Sequence, residues 1–138
     1  MMCLINTERA RYSLPPLSVH SKLMEMARRH SIYMSAMRRM THADSSGSLG
    51  MRATQVGFDW DFLEENVASS AQSEEEAMRA LMASPAHRMN ILSRNVEFFG
   101  VAVSDGYWTQ EFGNSMDRKY APRYLDYCPA AHNLVMYY

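Results

Sequence analysis

The chain has 138 residues, 47% hydrophobic and 21% charged, with a formal net charge of −1. That length suits a single domain, residues 1–138, with a sizeable core, and the composition is that of a soluble globular protein. The near-neutral charge gives no electrostatic case for nucleic acid or an anionic membrane surface, and no stretch reaches the roughly 18 consecutive apolar residues of a membrane span.

The opening residues, MMCLINTERA, acquire charge at Glu8 before any apolar core develops, so they do not read as a signal peptide. An exported protein would have lost its leader. The first helix carries Leu4, Ile5 and Tyr12 near helical spacing and must stop before Pro15-Pro16, because the residue preceding a proline avoids the α region. SKLMEMARRHSIYMSAMRRM is the strongest helix, with Leu23, Ala27, His30, Met34 and Met37 on one stripe. THADSSGSLG then reads as a long loop. A short helix over Met51 to Val56 ends at Gly57, suited to a left-handed cap.

SEEEAMRALMAS opens on a capping box, in which Ser73 takes an N3 amide and Glu76 reaches back. Met78, Leu81 and Met82 form its apolar face. Pro85 bars continuation, so SPAHRMNIL reads as a corner, with Ile91-Leu92 pinning it in the core. FFGVAVSDGYWTQEFG reads as a hairpin turning at Ser104-Asp105-Gly106. The tail, residues 114–138, is irregular. Helices precede the clearest strands without βαβ alternation, which predicts an α+β layered domain.

Three chemically capable residues sit beside structural anchors: His42 in THADSSG, Glu65 in LEENVA and His87 in SPAHR. No HExxH, GxSxG, P-loop or zinc-finger spacing surrounds them, so taken alone each reads as a solvent-facing or capping residue. His20 and His132 read the same way, and His30, on an apolar stripe, reads as a core histidine. Asn66 and Asn90 read as loop anchors using side-chain to backbone bonds, and Arg88 as the partner of a nearby carboxylate. Cys3 and Cys128 are too far apart for a CxxC motif. They form either one disulfide, worth about 4 to 5 kcal/mol in chain-entropy models, or two buried thiols. Thirteen methionines suit core filling more than an adaptable cleft.

LINTERARYSLPPL, THADSSGS, EENVA, SPAHRMNIL and YWTQEFG occur in the order and spacing of the CAP superfamily, also called the SCP or cysteine-rich secretory, antigen 5 and pathogenesis-related 1 family. The chain resembles its bacterial and fungal branch from about Leu4 to Gly113. The resemblance implies a three-layer α-β-α sandwich with a central antiparallel sheet and a surface cleft. Carried over residue by residue, that cleft is lined by His42, Glu65 and His87. A divalent metal such as zinc would be held by His42 and His87, with Glu65 as further ligand or general base; two imidazoles and a carboxylate are ligand types of an open zinc site. The second glutamate of the animal and plant branches would fall near Ser84, and their histidine before Thr-Gln at Tyr107. Both are absent here.

The family is extracellular, which favours the Cys3–Cys128 disulfide. It implies a secreted binding module for a small apolar ligand, a sterol or fatty acid, or for a protein partner. The alternatives are a zinc-dependent hydrolase using the same cleft (with Glu65 catalytic) and a structural or signalling protein whose cleft is vestigial. Four positions depart from the family pattern: Ser13, Glu64 and Ala86 replace glycines, and Leu81 replaces a common tryptophan. A glycine needed at positive φ would make its replacement cost on the order of 1 kcal/mol, and strain at Ala86 would disturb the backbone near His87.

Overall fold

The computed structural model describes residues 1–116. The expected Cys3–Cys128 disulfide and the reading of His132 therefore involve positions outside the described residues. Five helices and four strands run in the order α1 (Met2–Arg11), β1 (Ser18–Val19), α2 (Ser21–Met37), α3 (Leu49–Gln55), β2 (Trp60–Ala68), α4 (Glu74–Ala83), α5 (Pro85–Ile91), β3 (Phe98–Ser104) and β4 (Tyr107–Ser115).

The sheet has the order β1-β3-β4-β2. Its three long strands are antiparallel, as the resemblance implied, while the two-residue β1 adds a parallel edge on β3. Helices cover both faces. On one side Ile5, Met78, Leu81, Ile91, Phe99 and Phe112 form the larger core beneath α1, α4 and α5. On the other Leu23, Met26, Ala53, Phe58 and Phe98 pack α2 and α3 down. The layering is helix, sheet, helix.

Helix α2 buries the expected stripe of Leu23, Ala27, His30 and Met34, while Met37, at its last turn, is exposed. His20 caps its start through a ring nitrogen that accepts from the Lys22 N–H at 3.2 Å. Helix and sheet touch backbone to backbone at Gly100, where a Cβ would stand 2.2 Å from the Leu23 carbonyl carbon. This close approach sets the height of α2, and of the loop that follows it, above the sheet.

Helix α4 starts as the sequence reads, with Ser73 Oγ accepting from the Glu76 N–H at 3.1 Å, but Glu76 reaches back to the Gln72 N–H rather than to Ser73. Pro85 does not break the chain into a corner: it occupies the first turn of α5, where its missing N–H would have had no helical partner. Asp105 and Gly106, with φ of 48° and 80°, make a two-residue hairpin turn between Ser104 and Tyr107. Strand β4 continues through Asn114 and Ser115, which the sequence assigns to the tail.

Among the departures from family glycines, Ser13 stands at φ 57°, whereas Glu64 lies in β2 and Ala86 in α5 without positive φ. The strain sits after α1 and spares the backbone around His87. Gly100→Ala should lower stability by about 1–3 kcal/mol, the range for overpacking. Chemical denaturation checks this, and an unchanged midpoint would contradict the close contact.

Candidate functional site

His42 lies in the loop after α2, and that loop is tied at several points. Buried His30 grips it from below: Nδ1 lies 2.8 Å from Asp44 Oδ2, and Nε2 lies 2.7 Å from the Thr41 carbonyl oxygen. Asp44 Oδ1 accepts from the Ser46 N–H and hydroxyl at 2.9 and 2.6 Å. Gln55 of α3 donates to the Ser46 carbonyl at 2.7 Å. His30 is thus a satisfied core histidine, and it organises the loop that presents His42.

Glu65 is not on a loop. It sits in β2 with its side chain 2% exposed, and its Oε1 lies 2.9 Å from Nδ1 of His42, whose side chain is 60% exposed. Behind it lies a cluster that sequence reasoning missed. Glu111 of β4 stands directly opposite Glu65 in the antiparallel register and is fully buried. Arg52 of α3 is buried beside both: its Nη1 is 2.9 Å from Glu65 Oε2 and 3.5 Å from Glu111 Oε1. These approaches lie off the N–H directions, so they are charge contacts rather than aligned hydrogen bonds. Arg52 Nη2 also donates to the His42 carbonyl at 3.4 Å.

Two carboxylates around one guanidinium, away from water, carry one negative charge too many. Burial, then the neighbouring Glu65 charge, push Glu111 well above the usual carboxylate range, so it keeps its proton. Burial pushes Glu65 the same way. There the His42 hydrogen bond and the close Arg52 and Glu111 neighbours prevail and hold it ionised below that range. The Glu65 hydrogen bond raises His42 above an ordinary histidine.

His87 is half-buried on α5, and burial followed by the His42 charge lowers it. Asn66 and Asn90 are the anchors expected of them. Asn66 Nδ2 donates to the His87 carbonyl and to Gln110 Oε1, each at 3.0 Å. Asn90 Nδ2 donates to Asn66 Oδ1 at 2.8 Å and to the Glu65 carbonyl at 3.3 Å. They lock α5 to β2 and so fix His87 relative to Glu65. Arg88 is exposed and makes no ion pair among the described residues, contrary to the expected carboxylate partner. The buried arginine that does tie elements together on the opposite face is Arg9, which donates to the Pro15, Ile91 and Ser93 carbonyls at 2.9, 2.9 and 2.7 Å.

A catalytic zinc site takes three protein ligands and leaves one position for water. Glu65 meets His42 with one oxygen and Arg52 with the other, and Arg52 already supplies the cation. Among the described residues no three His, Cys, Asp or Glu side chains converge as a metal shell. The donor set does not fit the three-ligand ion that the resemblance implies. His42 is instead an exposed imidazole oriented from behind by a buried carboxylate.

The chain resembles known proteins in sequence and in fold. The model of the cysteine-rich secretory protein (CAP) family matches residues 3–112. The chain belongs to that family. A relative in Bacillus subtilis (strain 168), the uncharacterized protein YkwD, is 33% identical over 112 residues, covering 79% of this chain and 44% of YkwD. Among solved structures, an extracellular protein containing an SCP domain from Bacillus anthracis is 28% identical with a TM-score of 0.78, over 80% of this chain and 38% of that one. An outer surface protein of Borrelia burgdorferi shares this fold at 19% identity, with a TM-score of 0.74 over 80% of this chain and 86% of its own. The chain thus spans less than half the length of YkwD and of the Bacillus anthracis protein.

The buried acid pair makes stability depend on pH in a definite sense. Glu111 keeps its proton when folded but releases it above about 4.5 when unfolded, so the folded state binds more protons and stability falls as pH rises from there. Glu65 acts oppositely: its contribution is present above the ordinary carboxylate range and is lost as pH falls through its lowered value. Glu111→Gln should therefore raise the melting temperature above wild type at about pH 8 and change it little at about pH 4. Equal melting curves at both pH values would contradict a protonated Glu111.

Proposed function

We propose that this CAP domain is an extracellular, non-catalytic binding module, taking a small apolar ligand such as a sterol or fatty acid, or a protein partner, at the face that presents His42, Glu65 and His87. The observation that carries this reading is the His42–Glu65 pair, an exposed imidazole held at 2.9 Å by a buried carboxylate. Such a group offers one oriented polar contact, which is what fixes a largely apolar ligand in register.

The loop bearing His42 leads directly into α3. The outer side of α3 and Trp60 of β2 frame an open groove of about 530 Å³ lined by Ser48, Gly50, Met51, Thr54, Gln55 and Trp60. Gly50 lies under the Trp60 ring, where a Cβ would meet it at 2.6 Å, and the indole N–H donates to Thr54 Oγ1 at 3.2 Å. A flat aromatic wall with exposed Met51 beside it suits a sterol ring or an acyl chain. The extracellular setting rests on the relatives, one described as extracellular and another as an outer surface protein. No described helix is long and apolar enough to cross a membrane.

Titration with a fluorescent sterol and a fluorescent fatty acid tests the reading. Saturable binding of one of them is expected, weakened about tenfold or more, roughly 1.4 kcal/mol, by Trp60→Ala or His42→Ala. The absence of any saturable signal for both probes would overturn the apolar-ligand form of the proposal.

Elemental analysis separates binding from hydrolysis. The purified protein is expected to carry no stoichiometric zinc. Stoichiometric zinc that disappears in His42→Ala and His87→Ala would restore the hydrolase reading.

A further inference from the structure

Glu111 falls in the YWTQEFG stretch without attracting notice, yet it is the most completely buried acid of the site. If it were ionised, neither of its oxygens would have a hydrogen-bond partner. Buried polar atoms without partners are rare and call for an explanation. A proton on Glu111 would supply one, because Glu111 stands directly opposite Glu65 in the β2–β4 ladder, where a carboxylic acid can donate to the Glu65 carboxylate. Around Glu65 stand Glu111 across the strand pair, Arg52 at 2.9 Å from Oε2, and at Oε1 His42 at 2.9 Å with His30 farther off at 3.8 Å.

We propose that Glu111 is a positioning residue: its donated hydrogen bond, with Arg52, orients the Glu65 carboxylate so that Oε1 faces Nδ1 of His42. This keeps the hydrogen of neutral His42 on Nδ1 and leaves Nε2 bare, since the tautomer of an imidazole follows the hydrogen bond made by its other nitrogen. An unconstrained imidazole prefers the opposite tautomer. The inference rests on His42 being the working polar group of the binding face. It extends that reading two residues inward, along a line from surface imidazole to buried acid.

The order of the three groups follows from the scaffold. Glu65 and Glu111 are held in register by the β2–β4 ladder, and Arg52 is pressed against them by α3. His42 is the one member on a loop, and that loop is clamped by His30 and Gln55. Rotation of the Glu65 carboxylate is therefore the freedom left to remove, and Glu111 lies opposite it.

Nitrogen-15 NMR of the histidine rings at about pH 9, where imidazoles are neutral, tests the proposal on the whole chain. Wild type and Glu111→Gln, which keeps a donor without a charge, should both show His42 as the Nδ1–H tautomer. Glu111→Leu should shift it towards Nε2–H, as should Glu65→Leu. Retention of the wild-type tautomer in Glu111→Leu overturns the proposal. So does its loss in Glu111→Gln, a comparison that stands even if the leucine variant fails to fold. Probe titrations on the same samples separate the two readings: a wild-type protein that binds neither probe yet shows the expected tautomer pattern fails the binding reading and supports the role of Glu111.

Discussion

One buried guanidinium organises the face of this domain that carries its chemistry. Arg52 is 2.9 Å from Glu65 and 3.5 Å from Glu111, and both carboxyls come from strands that pair directly. A lone buried charge would be very costly, and so would two unbalanced ones. The cluster is tolerable because one cation meets one anion and the second carboxyl stays neutral. Its polar character then extends outward through Glu65 to His42. Without Arg52, the two facing glutamates would repel or both take up protons, and His42 would lose the charged partner that holds it.

The rest of the fold keeps this cluster dry and in place. Gly100 lets α2 sit on the sheet, His30 of α2 clamps the following loop, and the loop delivers His42 to Glu65. On the other side of Glu65, Asn66 and Asn90 bind α5 to β2 and place His87. The two histidines are therefore positioned by different elements that meet at one strand. Their charges are unequal: Glu65 raises His42, while burial and the His42 charge lower His87.

Much of the layered fold was legible because apolar periodicity reports burial directly. The stripe on α2, the Ser73 cap of α4 and the Asp-Gly hairpin rest on local chemistry and appear in the structure, apart from exposed Met37 and a Glu76 that bonds to Gln72. Strand β2 was not legible, because the polar run EEN at its centre breaks the apolar alternation that marks a strand. Those residues are polar and inward-facing, which single-chain patterning treats as solvent-exposed. Helix α5 was misread for a different reason: a proline that ends one helix is also well suited to start the next.

The candidate site was half legible. His42, Glu65 and His87 were found through the ordered motifs of the family resemblance, and the structure places His42 against Glu65. Arg52 and Glu111 were missed because a charged residue in a short helix or a strand normally points to water. A signal existed in the alternation of β4, where Trp108, Gln110 and Phe112 face one side and Thr109 and Glu111 the other, yet every one of them is buried. A strand buried on both faces turns any acid within it into a question about its partner. Carbon-13 NMR of the glutamate side-chain carboxyls at about pH 7 answers that question most directly. One carboxyl, assigned to Glu111, should remain protonated; full ionisation of every glutamate would contradict the account.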